Sequence, residues 1–174
     1  EGEYNVANTL HDMGTIYFSV DDGRFLDYFR KALAHWRRLG MRGPLAMTLN
    51  NIGMAHYRQG RFEEALETLH QAMAESQAMG SPRPQAYAQA SIGDVHRARG
   101  DHSLAQRSYE QALALAEQAG EGFLVTYLVD ALGNVQRVLG NYEKAEELLG
   151  QAMERGYEHI SDYEVAVVGI SQGI

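Results

Sequence analysis

Apolar positions recur at spacings of three and four along almost the whole chain, with charged and amide residues between them, and glycine cuts the runs at short intervals. From Pro44 to Gly60 the residues Leu45, Leu49, Ile52, Ala55 and His56 keep that spacing, and Gly60 closes the segment as a left-handed helix terminator would. Phe62, Ala65, Leu66, Leu69, Ala72 and Met73 follow with the same spacing. Glu63 and Glu64 lie in the first turn, where the helix dipole favours acids, and Gly80 ends the run before Ser81-Pro82-Arg83-Pro84. These are helix A and helix B of one unit. The next unit places helix A at about 85–99, a Gly100-Asp101 turn whose aspartate can cap the following helix, and helix B at about 102–119. A third runs from about 122 to 139, turns at Gly140-Asn141 and continues to about 156. Each pair reads as an antiparallel helical hairpin with a short loop.

The units are copies. Gly53, Gly93 and Gly133 stand forty residues apart, each followed twelve positions later by an alanine, Ala65, Ala105 and Ala145. Ala32, Ala72, Ala112 and Ala152 keep the same period, as do Gly40, Gly80 and Gly120. Thr9 to Gly14 echoes Thr48 to Gly53, but its turn carries two extra residues and its helix B is three shorter, so the first unit is degenerate. Tyr163 to Ile174 resembles Tyr127 to Val138 and predicts a ninth helix, either a cap or the cut half of a further repeat. The predicted layout is one all-α domain over 1–174, with repeats at 4–40, 44–80, 84–120 and 122–157 and the last helix at 160–174.

A glycine inside a helix costs about 1 kcal/mol relative to alanine, so its return at one place needs a packing reason. Close approach supplies one: Gly14, Gly53, Gly93 and Gly133 are expected to face the alanine neighbourhood of helix B, with Leu49, Ile52 and Leu69 filling the flanking grooves.

Composition narrows the chemistry. A net charge of -8 works against a phosphate-tracking surface, so nucleic acid and anionic membrane are not expected partners. With no cysteine there is no disulfide, thiolate metal site or cysteine nucleophile. The most apolar stretch, Val165 to Ile170, is far too short to span a membrane. The chain starts with Glu1 and stops within an apparent repeat, which reads as a fragment of something larger. Paired carboxylates such as Glu63-Glu64 and Glu146-Glu147 fall at helix starts, where the dipole accounts for them. His56 and His96 share one repeat position and read as hydrogen-bonded interior imidazoles. No catalytic residue, metal or cofactor is assigned.

The series Leu49, Ile52, Gly53, His56, Ala65, Leu69, Ala72, then Ile92, Gly93, His96, Ala105, Tyr109, Ala112, then Leu132, Gly133, Gln136, Ala145, Leu149, Ala152 resembles the tetratricopeptide repeat. The period is forty where the family has about thirty-four, and such extended repeats are similar to those of kinesin light chains and of bacterial multidomain regulators, including large transcription activators related to that of the maltose regulon. The resemblance implies a right-handed α-solenoid of about nine helices, with successive A helices lining a concave groove. It also implies groove-facing residues: Asn8, His11, Asp12, Thr15 and Phe18; Met47, Asn50, Asn51, Met54 and Tyr57; Tyr87, Ser91, Asp94 and Arg97; Tyr127, Asp130, Asn134 and Arg137. Tyr87 with Tyr127 and Arg97 with Arg137 keep the period and are expected to form ladders, and Asn50-Asn51 suits backbone hydrogen bonds to a ligand chain. The lysines and asparagines of the family's two-carboxylate clamp are missing, so chaperone-tail binding is not expected.

The expected function is a non-catalytic scaffold in the cytoplasm that binds a peptide or protein, as the sensor or docking region of a larger, bacterial, signalling or transcription regulator. Two alternatives stand beside it. One is homo-oligomerisation through the repeat ends, the 165–174 helix docking on another copy. The other is a small-molecule or enzymatic site built on His11-Asp12.

Overall fold

A computed structural model describes the backbone of residues 1–20 and 23–172 and the side chains of residues 1–20 and 23–157. The described chain forms eight helices: α1 (Gly2–Ser19), α2 (Phe25–Leu39), α3 (Arg42–Arg58), α4 (Phe62–Met79), α5 (Pro82–Arg99), α6 (His102–Ala119), α7 (Gly122–Val138) and α8 (Tyr142–Gln172). They pair as four hairpins, α1/α2 to α7/α8, each stacked on the next, so the architecture is the all-α solenoid read from the sequence. The expected separate ninth helix at 160–174 is not a separate element, because backbone helix runs unbroken from Tyr142 to Gln172. The side chains that would have docked it lie outside the described residues.

Six joints are closed by glycines with φ between 65° and 83°: Gly40, Gly60, Gly80, Gly100, Gly120 and Gly140, one every twenty residues. An L side chain rarely adopts that backbone, which is why the period of this set is so strict. At Gly100 the next amide, Asp101 N, donates to His96 O at 2.9 Å, and at Gly140 Asn141 N donates to Gln136 O at 3.0 Å. This closure satisfies carbonyls that the helix end would otherwise leave open. The Asp101 carboxylate makes no cap, contrary to expectation, because Arg99 Nε draws it away at 3.2 Å.

The helix-interior glycines are holes for side chains. A Cβ on Gly14 would stand 2.5 Å from the Phe29 ring, on Gly53 2.6 Å from Leu69 Cγ, on Gly93 2.5 Å from the Tyr109 ring and on Gly133 2.8 Å from Leu149 Cγ. Phe29, Leu69, Tyr109 and Leu149 are themselves forty apart. The expected alanine contact is real but secondary: Ala65 O lies 3.3 Å from the Gly53 position, and the buried Ala65, Ala105, Ala145, Ala72, Ala112 and Ala152 let helix B come close enough to insert its large residue. Thus one small-large pair per hairpin sets the spacing of A against B.

Successive hairpins touch through their A helices as well as through the A–B joints, since α1 meets α3, α3 meets α5 and α5 meets α7. Among the described residues no two B helices meet. The stack is therefore closer on the A side, which makes the A helices the inner, concave wall. The core divides accordingly into clusters strung along the array, one around Trp36, Leu45 and Leu49, another around Tyr109, Leu128 and Leu132.

Candidate functional site

The inner wall is not uniform. On α1, Asn8 and Asp12 are exposed and bonded to one another, Asn8 Nδ2 donating to Asp12 Oδ2 at 3.1 Å, and Thr15 Oγ1 donates to the His11 carbonyl at 3.2 Å. His11 turns toward α3. Thr48 Oγ1 donates to Pro44 O at 2.8 Å, so at its 2.8 Å contact with His11 it accepts, which assigns the His11 proton to Nδ1. Phe18 stands edge-on to Phe25 at 5.4 Å, with the Arg58 guanidinium 4.4 Å over its ring. His11 and Phe18 thus work at the joints between helices.

On α3, Met47 lines a cavity with Met79 and Pro84, Tyr57 packs on Phe62 at 6.2 Å, and Met54 and Asn51 are half-buried. Asn50 is buried, and its Oδ1 has no hydrogen-bond partner among the described residues. On α5, Ser91 and Asp94 are buried while Arg97 is exposed.

Asp94 is the organising group. Its Oδ1 accepts from Tyr109 Oη of α6 at 2.7 Å and, more closely still, from Tyr127 Oη of α7. Arg97 Nε donates to Tyr109 Oη at 3.1 Å, and its guanidinium lies 3.9 Å from Asp94. Three helices are thereby tied by one carboxylate. Burial, then the Asp94 charge, pushes both phenols well above the ordinary tyrosine range. Tyr87 uses its hydroxyl differently, donating to Glu121 Oε2 at 3.0 Å beside Arg83. The two expected ladders therefore keep their period but not their partners. Forty residues on from the Asp94-Tyr109-Arg97 set stand Asn134, Leu149 and Arg137, and forty residues back stand Met54, Leu69 and Tyr57. The Asp94-Tyr109-Arg97 set therefore recurs in neither neighbouring repeat.

Next to that cluster, Arg97, Tyr127, Asp130, Asn134 and Arg137 line a cavity of about 290 Å³ between α5 and α7, floored by Ala131, Val135 and Val138. Asn134 Nδ2 donates to Asp130 Oδ2 at 3.1 Å. Arg137 makes no hydrogen bond or ion pair among the described residues. Sequence reasoning missed His102, which completes the cavity wall from the first turn of α6 with a buried Nδ1 lacking a partner. Its signal was positional: it opens helix B, in register with Phe62 and Tyr142.

The interior histidines differ from expectation. His56 Nδ1 and His96 Nδ1 have no hydrogen-bond partner among the described residues; Asp101 stays 3.8 Å from His96. Burial is the first cause that lowers the affinity of His11, His56 and His96 for a proton; Asp12 and Asp101 act against it at His11 and His96, and Arg61 adds to it at His56. Free imidazoles titrate near 6.5, so on acidification the unfolded chain takes up protons before the folded one does. Their contribution to stability is complete above about pH 6.5 and is lost as pH falls through the folded values. The melting temperature measured at pH 5.5 is expected below that at pH 7.5, and the drop is expected to shrink in His56→Leu; a drop of the same size in that variant would rule His56 out as a source.

Among the described residues no three His, Asp or Glu side chains gather to hold a metal ion, and no helix is long and apolar enough to cross a membrane. No curated protein matches the sequence. Solved structures do. A Rap protein complexed with Competence and Sporulation Factor superposes with TM-score 0.85 at 20% identity, over 93% of this chain and 45% of that one. The Rap conjugation gene regulator of plasmid pLS20, in complex with the Phr* peptide, gives 0.81 at 19% identity, over 90% and 43%. A signal transduction ATPase with numerous domains and a tetratricopeptide repeat sensor, from Pyrococcus horikoshii, gives 0.75 at 19% identity, over 94% and 26%. The chain spans less than half the length of each, and at these identities the likeness is one of fold. The sequence model of the tetratricopeptide repeat matches residues 5–74 and 44–118, together more than half of the chain, and with the hairpin stack, the glycine-knob register and the A-helix inner wall already described, this chain belongs to the tetratricopeptide repeat family.

Proposed function

We propose that this chain is a non-catalytic scaffold whose concave face binds a peptide or a segment of a protein, as the docking or sensor region of a larger regulator. The carrying observation is the cavity between α5 and α7: Tyr127 and Arg97 are held in place by Asp94, while the Arg137 guanidinium projects beside them without a partner among the described residues. A preset aromatic wall with a free guanidinium and an amide is the kind of surface on which a few anchors supply most of the binding energy. The Rap regulator superposed above is itself in complex with a peptide, which supports the same use of the fold here. His11, by contrast, spends its Nδ1 on Thr48, which disfavours a site built on His11-Asp12.

The reading is tested by selecting binders from a random peptide library and measuring their affinity for wild type and for Tyr127→Ala and Arg137→Glu. A loss of roughly tenfold or more in each variant, a change of about 1.4 kcal/mol, is expected. Binders unaffected by both substitutions would place recognition elsewhere and defeat the proposal.

A further inference from the structure

We infer that the segment bound on the concave face carries an apolar anchor, a leucine, methionine or phenylalanine side chain that seats in a second cavity at the joint of α3 and α5. The inference rests on the function proposed above and names what the bound chain must contain. The cavity measures about 360 Å³ and is walled by Gly43 and Met47 of α3, Met79 at the end of α4, and Ser81, Arg83 and Pro84 where α5 begins. Its walls all come from the two middle hairpins of the array. The next joint along shows why this one is open. Forty residues on, Arg83, Tyr87 and Glu121 stand in place of Gly43, Met47 and Ser81. There Arg83 Nε donates to Glu121 Oε1 at 2.8 Å and Tyr87 Oη to Glu121 Oε2 at 3.0 Å, so three large side chains lock together across the joint of α5 and α7. A glycine, a methionine and a serine cannot do the same.

The chemistry of the wall selects the occupant. Met47 is half-buried and Met79 exposed, and flexible thioethers reshape around whatever apolar group they meet. Arg83 has no charge to spare for a ligand, since its guanidinium is on Glu121. The position of the cavity then ties it to the one between α5 and α7. Arg83 borders the first and Arg97 the second, fourteen residues apart on α5, which is about 20 Å at a helical rise of about 1.5 Å per residue. Tyr87, Ser91 and Asp94 stand between them at spacings of three and four, so a single stripe of α5 runs from one cavity to the other. An extended chain covers that distance in about six residues. One peptide therefore reaches both.

Binders from the random peptide library are measured against Gly43→Leu and Met79→Glu beside Tyr127→Ala and Arg137→Glu. Gly43 lies in α3 with ordinary helical backbone, and a Cβ there would stand 3.7 Å from Met79 Cε, in normal contact, so leucine grows into the cavity without straining the fold. Met79 is exposed, and circular dichroism verifies that both variants are folded. Each is expected to weaken binding roughly tenfold. In a wild-type binder, one apolar residue is expected to lose the same factor on replacement by alanine, and to lose nothing further in Gly43→Leu. It is expected about six positions from the residue whose replacement ceases to matter in Tyr127→Ala. Binders weakened by Tyr127→Ala and Arg137→Glu but indifferent to both Gly43→Leu and Met79→Glu overturn this inference and leave the proposed function standing. Binders indifferent to Tyr127→Ala and Arg137→Glu overturn both, as does a selection that yields no binder.

Discussion

Gly93→Leu is expected to lose about 3 kcal/mol of stability or more, near the upper end of what overpacking costs. Even the first added carbon would stand 2.5 Å from the Tyr109 ring, and that ring is fully buried. It cannot swing aside freely, because its hydroxyl is bound to Asp94 at 2.7 Å and to Arg97 at 3.1 Å. Displacing it therefore adds a broken buried hydrogen bond, worth about 1–3 kcal/mol, to the steric cost. For a chain of this length each kcal/mol moves the melting temperature by roughly 2–4 °C, so a fall of roughly 10 °C is expected by calorimetry. Gly150→Ala is the control: it lies inside α8, nothing stands within 4 Å of its added Cβ, and its backbone is ordinary helix. That substitution is expected to gain about 0.5–1 kcal/mol by removing the entropic cost of a helical glycine. An unchanged midpoint in Gly93→Leu would refute the knob-in-hole assignment.

Asp94→Ala is expected to cost about 2–3 kcal/mol, and to do so without any steric clash. Two tyrosine hydroxyls and one guanidinium converge on this 8%-exposed carboxylate, and bonds to a charged acceptor are the stronger kind. The damage reaches the cavity as well, since Tyr127 and Arg97 lose the group that aims them. Under the proposed function, peptide affinity falls with stability, whereas Asp94→Asn, which keeps one acceptor oxygen, is expected to retain part of both. The cluster also has a signature in pH. Tyr109 and Tyr127 ionise near 10 when unfolded and higher when folded, so above pH 10 the unfolded chain loses protons first. Their contribution is complete below about pH 10 and is lost as pH rises toward the folded values. Denaturant titrations at pH 9 and pH 11 are expected to show that loss, and Tyr109→Phe to show less of it; an equal alkaline loss in the phenylalanine variant contradicts the cluster's role.

Much of the fold was legible because its determinants are local. The partner of each interior glycine lies about sixteen residues further along the same hairpin, as Gly53 with Leu69 and Gly93 with Tyr109, so a strict period in sequence is a strict period in contact. The six left-handed glycines are local too, since each responds only to the backbone of its own joint. The cavity was half legible. Repeat position named Arg97, Tyr127, Asp130, Asn134 and Arg137, but it treated equivalent positions as equivalent surfaces and left out His102. They are not equivalent: Asn50 is buried with an oxygen that has no partner among the described residues, whereas Asp130, eighty residues and two repeats further along, is exposed and bonded to Asn134.

What the sequence determined by itself, then, is the unit: two helices, their stops, and the small-large pair that spaces them, all set by contacts within a single hairpin. What only the tertiary structure decided is the character of the inner wall. Asp94 meets Tyr109 fifteen residues away and Tyr127 thirty-three away, on two further helices. Whether those hydroxyls reach one carboxylate depends on how each hairpin is rotated onto the next. That rotation is a sum of side-chain volumes across the joints, and no single period in the chain encodes it.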